Sequence, residues 1–587
     1  MKTNTIRVAL TALLIGVGTA VSGVAFPVLT IVDDGRSEYC IVLDADASPS
    51  ERYAAEELQK FLKEISGYAI PILSSRAPKM IVVGGGEILR EIDPAFDTGQ
   101  LGKEGFTIRT REAHLILAGG KQRGTLYAVY TFLEDYLGCR WYSSEVSRIP
   151  RQKLIEIPSI NVTHKPVLEY REPFYSDAFD GDWAARNKSN GHSARLGERH
   201  GGKVRYSHFV HTFYSLVPPG KYFDEHPEYF ALVNGERRRS GAQLCLTNPD
   251  VLRIVIEGVK QWIAQDPEAD IYSVSQNDCA GWCECPDCKA LDEREESHMG
   301  SLLTFVNNVA EAIEKEHPDK AIDTLAYQYT RKPPENIRPR HNVIIRLCSI
   351  ECCFSHPLDS CPQNASFRDD ILGWSKIAPR LYVWDYVTDF ANYLLPFPNL
   401  DVLKPNIEFF VRHNVRGIFE EGNYSHGGGG EMAELRAYLL AKLLWNPDAD
   451  VEALKKDFLE GHYGKAAGAI AEYIAMLHRK VKDDKVHLNI WSGPTSPYLT
   501  DEVLTRADAL FDRAEKLADN AEILQRVLVA RLPLWYVRIT RPGLSSVEKL
   551  QLLEKFMEVV RKKGIDQIRE GRPMTSWEQE MRTALRK

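Results

Sequence analysis

The spacing of apolar residues changes twice along the chain and so divides it into three predicted units. In the first, apolar side chains recur every three or four residues between positions 54 and 65, which predicts an amphipathic helix. Ser48 or Ser50 is placed to cap the start of this helix, and Gly67 to end it. Short β-branched runs surround it. We therefore predict a small α/β domain over residues 27–155.

In the second unit, residues 165–450, short apolar runs alternate with longer runs at helical spacing. This alternation is typical of parallel βα units. The predicted strands lie at residues 167–171, 206–211, 271–275, 322–327, 343–347, 381–384 and 416–419. The predicted helices lie at residues 251–264, 300–314, 366–377, 400–413 and 431–444. The fold class is therefore α/β, and a (β/α)8 TIM-like barrel is the leading hypothesis for this unit.

The third unit, residues 451–587, is mostly amphipathic and predicts an α-helical C-terminal domain. Its helices are expected at residues 451–463, 467–481, 501–518, 521–540 and 546–563. The irregular stretch at residues 489–494 interrupts this pattern. We expect this stretch to reach back to the mouth of the barrel.

The N-terminal residues have the pattern of a secretory signal peptide over residues 1–25. Lys2 and Arg7 precede or begin an apolar run, and small residues lead to a cleavage position near Ala25. No later stretch approaches the roughly 18 apolar residues that a membrane span needs. We expect a periplasmic or secreted protein without a membrane anchor.

Composition limits the class of partner. The 587 residues carry a net charge of −8 and contain no long run of Lys or Arg, which argues against a nucleic-acid partner. Ten Trp and 25 Tyr are a large aromatic supply, compatible with a platform for sugar rings. A glycan or glycoprotein substrate is expected, and nothing in the sequence predicts an oligomeric state.

Eleven cysteines are present, and their spacing allows two interpretations. In an exported protein disulfides are the first expectation, and an odd number leaves at least one thiol unpaired. The alternative is structural zinc on the CxCxxC group Cys283, Cys285 and Cys288, with a fourth ligand from Cys279, Cys352 or Cys353. We favour disulfides and predict neither a metal nor a cofactor.

Polar residues cluster just after several predicted strands, where α/β barrels carry their chemistry. Cleavage of a glycosidic bond needs one carboxyl group to protonate the leaving oxygen and a second group to stabilise or attack the anomeric carbon. The predicted catalytic residues are Asp278, Glu420 and Glu351. The predicted substrate-binding residues are Asn277, His211, Tyr327, Asp385, Glu421 and Asn423.

Strand alternation distinguishes Glu420 from Glu421, and the other three carboxylates also have structural interpretations. Glu420 follows an apolar strand and is expected to point into the mouth, so its neighbour Glu421 would point to the opposite face. Asp278 can instead orient its own loop, and Asp385 can bond to barrel backbone. Glu351 lies among cysteines and can be structural.

Two segments of the first unit resemble a known accessory domain. They are AAEELQKFLKEISG, residues 54–67, and GGKQRGTLYAVYTFLEDYLGCRWY, residues 119–142. They resemble the domain that precedes the barrel in family 20 hexosaminidases and family 67 α-glucuronidases. The resemblance implies a domain that packs on a barrel and performs no chemistry itself.

The second unit carries a closer resemblance. HPEYFALVNGERR, SVSQNDCAGWCECPDC and GIFEEGNY, within residues 165–450, look like a bacterial domain family linked to glycoside hydrolase family 163. That resemblance implies an endo-β-N-acetylglucosaminidase that cuts between the two core GlcNAc units of N-glycans, by substrate-assisted catalysis. In this interpretation Asp278 faces the acetamido group, and Glu420 or Glu351 is the acid.

Two alternatives remain open at this stage. The accessory domain is compatible with an α-glucuronidase-like exo-hydrolase, which would need a basic residue such as Arg171, Arg186 or Arg331 near the pocket to bind a uronate. A non-catalytic glycan-binding protein would keep the aromatic cleft but separate the carboxylates beyond the range of about 5–9.5 Å that catalysis uses.

Overall fold

The structure, a computed structural model, describes residues 28–586. The predicted signal peptide, residues 1–25, lies outside the described residues. Among the described residues, no helix combines the length and the apolar character needed to cross a membrane.

The N-terminal domain is built on a six-stranded mixed sheet. In pairing order its strands are Asn161–His164, Phe106–Arg111, His114–Gly119, Met80–Val83, Cys40–Val42 and Ile72–Leu73. The helices Pro49–Ser66, Glu87–Ile92 and Gly124–Asp135 belong to it, and Leu29–Val32 pairs separately with Ile155–Ile157. The sheet therefore extends beyond residue 155, the predicted end of this domain, to His164.

The first helix, Pro49–Ser66, has the ends that the sequence indicates. The Ser48 hydroxyl accepts a hydrogen bond from the Glu51 N–H, and the Glu51 carboxylate accepts one from the Ser48 N–H. Gly67 follows in the left-handed conformation, with φ +83°. Ser48, not Ser50, is the cap.

The second unit contains a curled, six-stranded parallel sheet. In pairing order its strands are Tyr170–Phe174, Val415–Glu421, Arg380–Tyr386, Val343–Cys348, Ala321–Ala326 and Ile271–Ser273. The longer helices around it are Pro249–Gln265, Pro286–Arg294, Met299–Glu314, Ala365–Ile377, Leu400–Arg412 and Ala433–Trp445. All six strands are almost wholly buried, as expected for a parallel sheet covered on both faces.

The sheet is a half-barrel rather than the predicted eight-stranded closed barrel. The strand predicted at 206–211 contributes one bridge, between Tyr206 and Ile271. Beyond Tyr206 the chain leaves the ladder, and five residues later His211 adopts a left-handed backbone conformation with φ +56°. On its other side the Tyr206 N–H donates to the imidazole of His192 instead of to a strand.

The concave face of the sheet holds a buried ion pair. Arg346 Nε lies 3.1 Å from Asp323 Oδ2, and both side chains are fully buried. The guanidinium lies 4.8 Å from the ring centre of Tyr206 and 4.6 Å from that of Phe209. The Ser273 hydroxyl donates to Asp323 over 2.8 Å. This face is therefore filled by side chains, as in a packed barrel interior.

A second ionic cluster joins the N-terminal domain to this sheet. The Glu104 carboxylate accepts hydrogen bonds from Arg123 at 2.7 Å, Arg171 at 2.8 Å and Asn190 at 2.8 Å. Arg171 belongs to the strand Tyr170–Phe174, and Glu104 to the N-terminal domain. Because Glu104, Arg123 and Arg171 are all buried, Arg171 of the second unit depends on a carboxylate that the N-terminal domain supplies.

The C-terminal residues are mainly helical, as predicted. The five predicted helices are observed as Val451–Tyr463, Ala467–Asp483, Asp501–Leu517, Ala521–Thr540 and Ser546–Lys563, and a sixth, Met574–Arg586, was not predicted. A short hairpin of Gln567–Arg569 and Arg572–Pro573 precedes the last of them. The sequence did not predict this hairpin, whose turn contains Glu570 and Gly571, the latter with φ +65°.

Candidate active site

A cavity of about 420 Å³ opens at the carboxyl ends of the parallel strands. It is lined by His211, Asp278, Leu325, Tyr327, Gln328, Cys348, Ile350, Trp384, Tyr386, Phe390, Glu421, Ile490, Trp491 and Glu570. A larger cavity of about 750 Å³ lies at the opposite end, where the strands begin. The carboxyl end carries the chemistry in barrel enzymes, so the smaller cavity is the candidate active site.

Asp278 lies at this cavity together with a tyrosine from the next strand. It follows the strand Ile271–Ser273 and is exposed, and its Oδ1 accepts a hydrogen bond of 3.2 Å from the Tyr327 hydroxyl. Gln328 donates to the same hydroxyl over 3.0 Å. Burial and the Asp278 charge raise the pKa of Tyr327, so its hydroxyl remains a proton-bearing donor.

Glu421 is the least solvated carboxyl group lining the cavity. It ends the strand Val415–Glu421, only 9% of its surface is exposed, and its Oε2 accepts a 2.7 Å hydrogen bond from the Trp384 indole N–H. Burial raises the pKa of Glu421 to about 8, assisted by the charges of Glu570 and Asp278 and opposed by the Trp384 bond. A carboxyl group with this pKa carries its proton at neutral pH.

Three cavity residues, Ile490, Trp491 and Glu570, come from two segments of the C-terminal domain, and the sequence indicated only the first of these segments. Trp491, 60% exposed, lies in the irregular stretch that was expected to reach the barrel mouth, and the structure confirms that position. Glu570 was missed. Burial and the Asp278 charge raise its pKa, so it lies close enough to contribute to the site's electrostatics. The Glu-Gly pair at 570–571 indicated a turn, but nothing in the sequence indicated where that turn packs.

His211 lines the cavity in a constrained backbone position. Its N–H donates to the Ser275 hydroxyl over 2.9 Å, and its Nδ1 lies 2.8 Å from the Gln276 carbonyl oxygen. Because a carbonyl oxygen only accepts, Nδ1 carries the proton in this contact. Left-handed φ in a non-glycine residue is uncommon and is concentrated at functional sites.

The predicted orientation of the Glu420–Glu421 pair is wrong. Tyr382, Trp384 and Phe419 face the concave side of the sheet, and Glu421 follows their alternation. Glu420 therefore points to the helix-facing side, in register with Asp385. Burial raises the pKa of Glu420 well above its ordinary value, and that of Asp385 to about 6. Neither side chain lines the cavity.

Three other predicted residues make structural contacts. The Asn277 side chain accepts from the Tyr214 N–H and donates to the Ala242 carbonyl, which holds the preceding loop. The Glu351 side chain is 46% exposed and pairs with Arg331 at 3.0 Å. The Asn423 side chain accepts from Ser425. None of these three lines the cavity, whereas His211, Asp278, Tyr327 and Glu421 are brought together there.

The three arginines considered for uronate binding are all engaged elsewhere. Arg171 pairs with Glu104 at 2.8 Å, Arg186 with Glu57 at 2.8 Å, and Arg331 with Asp370 at 2.6 Å. Within the described part of the chain, the cavity lining includes neither Lys nor Arg. The site is therefore acidic and aromatic.

Comparisons with known proteins give the relationship of the chain. Residues 141–475 match the sequence profile described as Domain of unknown function (DUF4838), which covers more than half of the 587 residues. The chain belongs to this family. Residues 37–132 match the profile described as Glycosyl hydrolase family 67 N-terminus. No curated protein is significantly similar to it in sequence.

One solved structure is similar to this chain in fold. It is a family GH115 4-O-methyl-α-glucuronidase, BtGH115A, described as specific for decorated arabinogalactans. The similarity has a TM-score of 0.59 at 10% identity and covers 91% of this chain and 77% of that one. In its N-terminal domain and in its fold the chain is glycoside-hydrolase-like, as the sequence predicted. Neither comparison names family 163, so that finer resemblance stays a prediction.

Six of the eleven cysteines lie in two groups, and the disulfides that the sequence favoured are not formed within residues 28–586. Cys283, Cys285 and Cys288 do converge, but their fourth neighbour is Cys245, not Cys279, Cys352 or Cys353. Cys353 and Cys361 lie instead with His356 and His487. In the first group the sulfurs of Cys245 and Cys285 are 3.7 Å apart, well beyond the roughly 2.05 Å of a disulfide.

Proposed function

We propose that the chain hydrolyses a glycosidic bond in the cavity at the strand ends, with Glu421 as general acid and Asp278 as its partner. The observation that carries this proposal is the difference between the two carboxyl groups. Glu421 is desolvated, with its pKa raised to about 8, while Asp278 is exposed and hydrogen-bonded to Tyr327. Two carboxyl groups in contrasting environments at one site are what acid-assisted glycoside cleavage requires.

The proposed reaction is substrate-assisted. Glu421 donates its proton to the glycosidic oxygen as that bond breaks, and the acetamido oxygen of the substrate bonds to the anomeric carbon. Asp278 accepts the acetamido N–H, and the Tyr327 hydroxyl, which remains protonated, holds Asp278 in place. Water then attacks the anomeric carbon, the bond between that carbon and the acetamido oxygen breaks, and the water gives up a proton to Glu421, which completes hydrolysis.

A neutral, GlcNAc-containing glycan is the proposed substrate class. The lining supports it because it offers acidic and aromatic side chains and, among the described residues, no Lys or Arg to pair with an acidic sugar. Trp491 projects an exposed indole at the cavity, suited to pack on a sugar ring. An endo-β-N-acetylglucosaminidase acting on N-glycans is the specific form that we propose.

An α-glucuronidase-like exo-hydrolase is the second candidate. It is supported by the match of residues 37–132 to the family 67 N-terminus and by the fold shared with a GH115 α-glucuronidase. In this chain a uronate would have to be bound without a cationic partner from the cavity lining. His211, Tyr327 and Gln328 are the polar residues available for it.

The test is a product screen on the wild type, on two active-site variants and on a control variant at the residue next to Glu421. The purified protein is incubated with N-glycoproteins, chitobiosides and aryl-α-glucuronides, and the products are identified by mass spectrometry. We expect release of a GlcNAc-terminated product, and loss of about 100- to 10,000-fold in kcat/KM in both Glu421→Gln and Asp278→Asn. Glu420→Gln is the matched control, because its side chain is adjacent in sequence but lies behind the sheet.

Three outcomes separate the candidates. Cleavage of only the glucuronide would favour the second candidate. Full activity in Glu421→Gln together with loss in Glu420→Gln would contradict the assignment of the acid. Tight glycan binding without any product would identify a binding protein.

A further inference from the structure

Four metal-ligand side chains meet beside the candidate active site without belonging to it. Cys353, His356 and Cys361 lie in the loop that follows the strand Val343–Cys348, and His487 lies in the segment between Asp483 and Asp501. One sulfur or ring nitrogen from each lies within 4.8 Å of the others. Both cysteines are buried, His356 is half-buried and His487 is exposed.

The distances in this cluster fit a tetrahedral metal site. His487 Nδ1 is 3.2 Å from the sulfur of Cys353 and 3.6 Å from that of Cys361, and His356 Nδ1 is 3.3 Å from the sulfur of Cys353. Zinc with bonds of about 2.3 Å to sulfur and 2.05 Å to nitrogen places nitrogen and sulfur about 3.6 Å apart. The observed separations are within a few tenths of an ångström of that value.

We propose that Cys353, His356, Cys361 and His487 bind a structural zinc ion. Two thiolates and two imidazoles are a donor set that suits zinc, and four protein ligands leave no open position for a substrate. The site is therefore structural rather than catalytic.

The ion would fix the segment that supplies Trp491 to the cavity. His487 is four residues before Trp491, and the intervening chain is already aligned with the cysteine loop. The Phe354 N–H donates to the Leu488 carbonyl over 2.8 Å, and the Leu488 N–H donates to the Ser355 hydroxyl over 3.1 Å. Zinc would thus join the sheet to the C-terminal domain at one wall of the cavity, a role that rests on the proposed function.

A second cluster supports a second zinc ion independently. The sulfurs of Cys245, Cys283, Cys285 and Cys288 lie within 4.8 Å of one another, and all four residues are buried. The 3.7 Å between Cys245 and Cys285 equals, within 0.1 Å, the roughly 3.8 Å separation of two sulfurs on tetrahedral zinc. The Leu232 N–H and the Arg237 guanidinium approach Cys283 at 3.4 and 3.8 Å, as expected around a thiolate cluster that keeps negative charge.

The test counts zinc in the full-length protein purified without added metal or chelator. Inductively coupled plasma mass spectrometry should give two zinc ions per chain. His487→Ala should retain one zinc ion, because it breaks only the cluster of Cys353, His356, Cys361 and His487. Cys288→Ser should also retain one, because it breaks only the four-cysteine cluster. Cys40→Ser, a half-buried cysteine outside both clusters, should retain two.

The count can overturn either site separately. The site at Cys353 and His487 would be overturned if His487→Ala lost no zinc and mass spectrometry under non-reducing conditions showed a Cys353–Cys361 disulfide. A Cys288→Ser variant that keeps both ions would overturn the second. Because His487 is exposed, its variant is expected to fold, and circular dichroism checks this.

A separate readout tests the link to the cavity. On a cleaved glycan, His487→Ala should raise KM about fivefold, the same change that is expected for Trp491→Ala, while kcat changes little. Two zinc ions without any glycosidase activity would leave the metal sites standing and refute only the proposed function. Unchanged KM in His487→Ala, after loss of its zinc, would refute the tethering role alone.

Discussion

The hydrogen bond from Trp384 to Glu421 allows a quantitative test of the proposed acid. The indole N–H lies 2.7 Å from Glu421 Oε2 and favours the charged carboxylate. Burial nevertheless raises the pKa of Glu421 to about 8. Trp384→Phe removes the donor but keeps an aromatic ring, so the pKa of Glu421 should rise further.

The size of this rise follows from hydrogen-bond energies. A bond to a charged acceptor contributes about 1.5–3 kcal/mol and one to a neutral acceptor about 0.5–1.5 kcal/mol, so the midpoints of the two protonation states differ by about 1.3 kcal/mol. That difference corresponds to about one pKa unit. Glu570→Gln should shift the pKa in the opposite direction, because it removes a negative charge that raises the pKa of Glu421.

The assay is the pH dependence of kcat/KM on the substrate found in the screen, since its limbs report groups of the free enzyme. A general acid is active while protonated, so activity should fall as the pH rises through about 8 in the wild type. In Trp384→Phe the midpoint should move to about pH 9, and in Glu570→Gln it should move below 8. Glu351→Gln, an exposed carboxyl outside the cavity, should leave the midpoint unchanged.

Two results would refute this reasoning. One is an alkaline limb that Trp384→Phe leaves in place or lowers, because the donor would then not act on the titrating group. The other is a limb that disappears in Glu351→Gln, which would assign the acid to the exposed carboxyl instead. Thermal unfolding of each variant at pH 7 excludes simple loss of folding.

Three further outcomes are expected. Trp491→Ala should raise KM about fivefold with little change in kcat, since about 1 kcal/mol of aromatic packing on the sugar is lost. Glu104→Gln should lower the free energy of unfolding by about 3–5 kcal/mol in urea titrations, because Arg123 and Arg171 lose a buried partner. Burial raises the pKa of Glu104, but the charges of Arg171 and Arg123 outweigh burial and hold this pKa at about 2, below the ordinary value of 4.5. The stabilisation that Glu104 contributes should therefore be present above about pH 4.5 and lost as the pH falls towards 2. Acid unfolding of the wild type and of Glu104→Gln measures this loss.

Much of the architecture was predictable because local patterns determine it. Helix ends at Ser48 and Gly67 follow from capping chemistry, and five of the six observed C-terminal helices start where the predicted amphipathic runs start. The parallel strands follow from short apolar runs between helices. The missing strand at 206–211 was not predictable in this way, because its apolar residues Phe209 and Val210 pack on the concave face without joining the ladder.

The candidate site was predictable only in part. Strand-end polarity identified Asp278, Tyr327 and Glu421, since parallel strands bring their carboxyl ends to one edge of the sheet. The two faces of a strand buried on both sides look alike in sequence, so the faces of Glu420 and Glu421 were interchanged. Glu570 reaches the cavity from a hairpin about 150 residues further along the chain, and such long-range packing leaves no local signal.

The cavity wall has a consequence for comparing members of this family. The matching profile ends at residue 475, whereas Ile490, Trp491 and Glu570 complete the cavity from beyond that point. The matched segment by itself therefore supplies the sheet and the strand ends of this cavity, but not the C-terminal surface against which a sugar would pack. A change confined to the C-terminal segments of this chain can therefore alter how the cavity holds a sugar without touching Glu421, the proposed proton donor.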